Sequence, residues 1–260
     1  MSFIVIIPAR FDSSRLPGKP LKELVAGKTM IQFTWEQVKK SSASRIVIAT
    51  ENKKVQAVCE GFGAEVCMTN DKHQSGTERI SEVIAKLNLA DDTIIVNVQG
   101  DEPLLPPKLI HQVASGLENN KQINMATLCE PIDDIKTVFD PNAVKVVRDQ
   151  LNFALNFTRA PMPWSRDSFA NATPSLPTNW EYKRHIGLYA YRAGFVKRYV
   201  NWPECQLEQV EKLEQLRVLW HGEKVLVLDA LMDAGTGVDT EQDLALVKEH
   251  FSKLARDSDG

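Results

Sequence analysis

The chain has 260 residues, 25% of them charged and 43% hydrophobic, with a formal net charge of −3. That length can bury one large core, and the slight acidity excludes a general nucleic-acid binder, which needs a broad basic surplus. No apolar run approaches the roughly 20 residues of a membrane helix, and the N-terminus shows no basic-then-apolar leader, so a soluble cytoplasmic protein without membrane insertion is expected.

Residues 3–7, Phe-Ile-Val-Ile-Ile, predict a strand buried on both faces. A helix follows with Ile31, Trp35 and Val38 on one side, then a strand at 45–50. Val55, Val58, Cys59 and Phe62 recur at helical spacing up to Gly63, and 65–69 is the next strand. Ser75 and Glu78 are spaced as a capping box for a helix over 76–88, which puts Ile80, Val83, Ile84 and Leu87 on one face. A strand at 93–98 and a helix carrying Leu109, Ile110, Val113 and Leu117 complete the alternating part. This rhythm predicts a mostly parallel, doubly wound α/β sheet with ligands beyond the carboxyl ends of its strands.

After about residue 140 the rhythm changes. Two neighbouring short strands, read as antiparallel, precede a proline-rich stretch at 160–181, a length that suits a lid, a binding loop or a mobile segment. An alternating strand at 184–192 follows. A helix over about 206–220 is expected to turn Leu207, Val210, Leu213, Leu216 and Trp220 inward. A strand beginning at Lys224 and a last helix capped by Thr240 and Asp243 close the chain, before a frayed tail at 255–260. Residues 1–254 read as one catalytic domain. The cysteines Cys59, Cys67, Cys129 and Cys205 show no CxxC spacing and sit in apolar contexts, as free thiols of a reducing compartment do.

Several stretches can carry chemistry. Residues 10–22 hold Arg10, Arg15, Lys19 and Lys22 against Asp12 alone, directly after a buried strand in a loop stiffened by Pro17 and Pro20. A nucleoside triphosphate carries about four negative charges, and such a loop suits it; a solvated basic surface loop is the alternative. Neither a Walker A loop nor a GxGxxG turn is present. Asp101 follows a strand through Gly100, where a single carboxylate can hold Mg²⁺ beside phosphates, or simply close a Gly-Asp turn. Asp239 precedes the last helix; it is either a residue favoured by the helix terminus or the partner of Asp101 on a shared ion. Residues 73–79 place hydroxyls and free N–H groups at a helix start, which the capping box alone also explains. Arg159, at a strand end, could grip a sugar carboxylate bidentately. His185 in an alternating strand and Glu214 with Gln215 on a helix have ordinary structural readings beside functional ones.

Taken together, "IIPARFDSSRLPGKPL", "HQSGTERI", "IVNVQGDEP", "NAVKVV", "FTRAPMPW", "RHIGLYAYRAGF", "LEQLRVLW" and "GTGVDTEQDL" resemble the 3-deoxy-manno-octulosonate (Kdo) cytidylyltransferases, in order and over nearly the whole chain. The resemblance implies a Rossmann-like nucleotide-diphospho-sugar transferase fold, with a smaller antiparallel sugar-binding and dimerisation lobe at about 155–225. It implies a homodimer, and CTP plus Kdo giving CMP-Kdo and pyrophosphate for lipopolysaccharide biosynthesis, with Mg²⁺. By position, Arg10, Lys19 and Asp101 would be catalytic. Pro8, Ala9, Arg10, Arg15, Lys19, His73, Ser75, Gly76 and Arg79 would bind CTP. Gln99, Arg159, His185, Tyr189, Glu214 and Gln215 would line the sugar pocket, and Asp101 with Asp239 would hold the metal. Two departures stand out: Asp12, where the family usually has a small residue and which is expected to face solvent or pair with Arg15, and the unusual run 228–237 before Asp239. The rival readings are a cytidylyltransferase for another sugar acid, of the sialic acid or amino-Kdo type, and a nucleotide-binding regulator without turnover.

Overall fold

The computed structural model describes residues 2–12, 16–170 and 172–258, with side chains up to residue 253. The opening apolar run forms β1 (Phe3–Pro8), followed by a short 3-10 turn at Lys19–Leu21 and a small hairpin, β2 (Glu23–Val25) and β3 (Lys28–Thr29). Then come α1 (Met30–Lys39), β4 (Arg45–Thr50), α2 (Lys53–Gly61), β5 (Glu65–Met68), α3 (Gly76–Lys86), β6 (Ile94–Asn97) and α4 (Pro107–Glu118). The second half holds β7 (Met125–Pro131), α5 (Ile135–Phe139), β8 (Lys145–Arg148), β9 (Ala154–Thr158), β10 (Lys183–Arg192), α6 (Ala193–Tyr199), α7 (Gln206–Glu211), α8 (Gln215–Trp220), β11 (Val225–Asp229) and α9 (Glu241–Ser258). The last helix thus continues through most of the expected frayed tail.

Among the described residues, one sheet runs β11-β7-β10-β6-β1-β4-β5, with β8 and β9 branching from β10. The pairs β1–β4, β1–β6, β4–β5 and β7–β11 are parallel, whereas β10 is antiparallel to both β6 and β7. The expected antiparallel pair is therefore β8–β9, joined to the central sheet through Arg184 opposite Lys145. β10 is long enough to serve both parts, and an irregularity between Ile186 and Tyr189 shifts its register midway.

Central strands are buried on both faces, as Phe3, Val5, Ile6 and Ile7 are, because helices cover the sheet on each side. One core, containing Val5, Ile31, Val96 and Leu109, lies under α1, α2 and α4. The other, containing Ile6, Ile80, Ile95 and Phe195, lies under α3 and α6. Both expected capping residues act: the Ser75 hydroxyl accepts from the Glu78 N–H at 3.2 Å, and Thr240 and Asp243 cap α9 reciprocally. Glu78 itself accepts from Gln74 N–H at 2.7 Å, so the first box closes one residue earlier than its spacing suggests.

The helix expected over 206–220 is two helices. Lys212 adopts φ 54°, a left-handed conformation that ends α7 and starts the chain again at Glu214. The break turns Leu207, Val210 and Trp220 outward, at 49%, 83% and 56% exposure, while Leu213 and Leu216 stay buried. What holds the two pieces is a buried ion pair: Arg217 donates from Nε to Glu208 at 2.7 Å and from Nη2 at 2.6 Å. Their side chains are 11% and 7% exposed. Arg217→Ala would strand that carboxylate, so a loss of about 3–5 kcal/mol is expected, read as a fall in Tm of roughly 10 °C. A shift of under about 2 °C would show that the pair contributes little.

Residues 160–170 and 172–181 have little regular structure, but part of this stretch packs against the fold. Phe169 and Tyr182 are 5% and 1% exposed and cluster with Ile132 and Val138. The Phe169 ring also packs against Phe139 and Trp164, at 5.1 and 5.2 Å between centroids.

Candidate active site

The strands β1 and β6 lie side by side and parallel, yet the chain leaves β1 towards β4 and β5 and resumes at β6 on the other side. The crevice at their carboxyl ends is where such sheets bind ligands. A cavity of about 810 Å³ opens there, lined by Pro8, Ala9, Arg10, Phe11, Asp12, Pro17, Gly18, Lys19, Pro20, Gly76, Gln99, Gly100, Asp101 and Asp239. Asp12 is exposed, as the sequence suggested, and its place is at this cavity's wall; its alternative partner Arg15 lies outside the described residues. Leu16, fully buried beside Met30 and Val238, pins the base of the basic loop. Gly18 then turns it at φ 66° into the 3-10 turn that carries Lys19. Gly100 is needed for close approach: a Cβ there would sit 3.0 Å from the Pro8 carbonyl oxygen.

Asp101 and Asp239, far apart in sequence, meet at one ammonium. Lys19 Nζ donates to Asp101 Oδ2 and, at 2.9 Å, to Asp239 Oδ1. The backbone arranges this, because the Val238 N–H donates to the Asp101 carbonyl at 2.9 Å and the Asp239 N–H to Asp243 Oδ2 at 3.0 Å. Lys19 is only 8% exposed. Behind them Glu102 has a buried Oε2 with no hydrogen-bond partner among the described residues. Burial, then the Asp101 carboxylate, push this carboxyl up to about 8 although Lys19 opposes them, so Glu102 is largely protonated at neutral pH. Sequence reading passed over Glu102, and its only signal was its place next to Asp101. Among the described residues no group of three or more metal-ligating side chains forms.

A second cavity of about 220 Å³ abuts the first and shares Gly76 and Gln99 with it. Its walls include Tyr189, Glu214 and Gln215, as the sequence suggested, together with Thr77, Asn97, Tyr191, Tyr199 and Lys212, which it did not. Tyr189 and Tyr191 stack at 5.7 Å, two residues apart on β10 and so on one face of the strand; the resemblance named Tyr189, and strand period from it would have pointed to Tyr191. Asn97 is 3% exposed at the end of an otherwise apolar strand, and its Oδ1 has no partner among the described residues. Glu214 accepts from the Thr77 hydroxyl at 3.1 Å. Burial raises its pKa, and the hydroxyls of Thr77 and Ser75 pull against that rise.

Other suggested residues are not in the walls of these two cavities. Arg159 spends its guanidinium on the carbonyls of Glu211 at 2.7 Å and Pro141 at 2.8 Å. His73 pairs with Glu82 at 2.5 Å. Ser75 caps α3, and Arg79 is fully buried against Glu51. His185 sits between the rings of Phe157 and Tyr189, at 5.0 and 5.3 Å, with Nε2 3.1 Å from the Thr127 hydroxyl. It lines a third cavity of about 150 Å³ with Glu102 and Gly235.

Burial pushes His185 down to about 3. Below pH 6.5 the unfolded chain therefore takes up a proton that the native ring refuses. Stability present above that pH is lost as pH falls from 6.5 towards 3, by at most about 1.4 kcal/mol per pH unit. Denaturant unfolding at pH 7 and pH 5 should show wild type losing about 1–2 kcal/mol more than His185→Gln. Parallel losses would show that the ring titrates freely in the folded chain.

The model of the cytidylyltransferase family matches residues 4–225. The 3-deoxy-manno-octulosonate cytidylyltransferase 1 of Hydrogenovibrio crunogenus is 69% identical over 99% of both chains. The 3-deoxy-manno-octulosonate cytidylyltransferase of Pseudomonas fluorescens is 56% identical over 95% of this chain and 97% of its own. A solved CMP:2-keto-3-deoxy-manno-octonic acid synthetase complexed with CTP superposes with a TM-score of 0.88 at 36% identity, covering 97% of this chain and 98% of that one. The chain belongs to the 3-deoxy-manno-octulosonate cytidylyltransferase family.

Proposed function

We propose that the chain transfers CMP from CTP to the anomeric hydroxyl of Kdo, releasing pyrophosphate and supplying activated Kdo for lipopolysaccharide. The observation that carries this reading is the pair of abutting cavities. One is large and rimmed by Arg10, Lys19, Asp101 and Asp239; the other is small and walled by tyrosines and Glu214, and the two share Gly76 and Gln99. A nucleotide triphosphate in the first and a sugar acid in the second would bring their reacting atoms together near Gln99.

The donor set fits Mg²⁺. Two carboxylates already converge on one cation, the Lys19 ammonium, and Mg²⁺ characteristically takes one or two carboxylates and completes its shell with water and phosphate oxygens. Asp101 and Asp239 would hold it. When bound, it would supply neutralisation of charge on the phosphates. The chain's own work is positioning and charge. Arg10 and Lys19 orient the triphosphate for in-line attack by the sugar hydroxyl on the α-phosphorus, with pyrophosphate leaving. Tyr189, Glu214 and Gln215 seat the sugar. Arg159 and His185 would reach it only by giving up their present contacts, or act on it through their neighbours.

The same reading includes a cytoplasmic homodimer. In favour of a dimer stand two exposed apolar side chains, Leu155 on β9 at 62% and Trp164 in the stretch that follows at 61%; no helix among the described residues is long and apolar enough to cross a membrane. Pyrophosphate release should be measured with four nucleoside triphosphates against Kdo, amino-Kdo and a sialic acid, with and without Mg²⁺. Release confined to CTP, Kdo and Mg²⁺ is expected. A preference for the sialic acid would move the chain to that substrate, and tight CTP binding without release would make it a regulator.

A further inference from the structure

Among the described residues Arg79 is the largest fully buried side chain, and it lines neither of the two abutting cavities. Its Nη2 lies 2.9 Å from Glu51 Oε2, and its Nη1 donates to the Thr69 hydroxyl. A guanidinium this deep is costly unless paired, and Glu51, following β4, supplies the counter-charge, although Glu51 Oε2 and Arg79 Nε and Nη2 make no hydrogen bond among the described residues. The other oxygen of that carboxylate points elsewhere, and Glu51 Oε1 accepts from the Phe11 N–H at 2.9 Å. Phe11 belongs to the basic loop and walls the first cavity. Its carbonyl accepts from the Gly18 N–H at 3.2 Å, and its ring covers Gly18, 3.6 Å from where a Cβ would stand. Gly18 is the left-handed residue that starts the turn bearing Lys19.

From this continuous path we propose that Glu51 is a positioning residue for the nucleotide, with Arg79 as the counter-charge that lets its carboxylate be buried. The Glu51 acceptor fixes the Phe11 N–H and so the turn that delivers Lys19 to the cavity. Neither residue touches the substrate. The inference rests on the CTP reading of the first cavity and assigns Arg79 an indirect role there in place of direct contact. Three strand-end loops and the first turns of α3 are braced by two side chains, so the cationic loop is held in shape before any phosphate arrives. That preorganisation lowers the cost of ordering the loop on binding.

Two double variants separate positioning from mere support. Glu51→Gln with Arg79→Met removes both buried charges and keeps an acceptor for Phe11. Glu51→Leu with Arg79→Met removes both charges and the acceptor. The first should keep KM for CTP within about threefold of wild type, and the second should raise it at least about tenfold, with KM for Kdo within about twofold in both. Amide exchange at Phe11 and Gly18 should quicken only in the second. Equal KM values for CTP in the two variants, or a matching rise for Kdo, would overturn the proposal. Glu51→Gln alone guards against a folding failure. A lowered Tm with CTP use intact supports the acceptor's role, whereas a tenfold rise in KM for CTP with Phe11 exchange unchanged refutes it. If wild type neither binds nor turns over CTP, the reading of the cavity fails, while the exchange comparison still decides the brace.

Discussion

Asp101→Asn should fold normally and lose at least ~10² in kcat, about 2.7 kcal/mol of transition-state stabilisation. The replacement is isosteric, and the bond that ties this turn to the last strand-end loop uses the Asp101 carbonyl, which the change leaves alone. What disappears is one of two negative charges facing a common cation, now the Lys19 ammonium at both carboxylates. A single charge within about 4 Å at an effective dielectric near 20 is worth up to ~4 kcal/mol before desolvation is subtracted, so the expected loss lies inside what one carboxylate can supply. The effect should fall on kcat, because charge on the phosphates changes most as pyrophosphate departs. Turnover close to wild type at matched Mg²⁺ would take Asp101 out of the metal site.

The alternating half of the fold was legible because its strands are buried on both faces and its helices carry clean apolar stripes. The same period argument failed at β7, where Met125, Thr127 and Cys129 alternate with Ala126 and Leu128 without a polar face to mark the register. It also failed at 206–220, where only the conformation of Lys212 ends the first helix. A lysine is a poor signal for a left-handed residue, so no composition rule would have placed that break. Of the acidic pair, Asp101 was readable because it follows the end of β6, whereas Asp239 does not close the last strand as expected: β11 ends at Asp229, and a further loop brings Asp239 to the start of α9. Arg79, Arg159 and His185 were harder. Their residue types suit ligands, but whether an arginine meets a ligand or a backbone carbonyl depends on neighbours brought from elsewhere. Glu211 for Arg159 and Glu51 for Arg79 lie 52 and 28 positions away in the sequence.

Lys19→Ala should damage the use of CTP by at least ~10² in kcat/KM while leaving KM for Kdo within about twofold. Lys19 is nearly buried, yet its ammonium meets two carboxylates at the mouth of the larger cavity. Its removal leaves Asp101 and Asp239 facing each other without the charge that separates them, so the cavity turns from balanced to repulsive towards a polyanion. Lys19→Arg restores the charge but not the shape. A planar fork does not replace a compact ammonium between two carboxylates, so only partial recovery is expected. Metal binding without nucleotide should change in the opposite direction: with the ammonium gone, the carboxylate pair should take up Mn²⁺ more tightly, measurable by the spin-resonance signal of the free ion. A defect confined to KM for Kdo would contradict the placement of Lys19 at the triphosphate. Weaker Mn²⁺ uptake in Lys19→Ala would show that the two aspartates do not form a cation site by themselves.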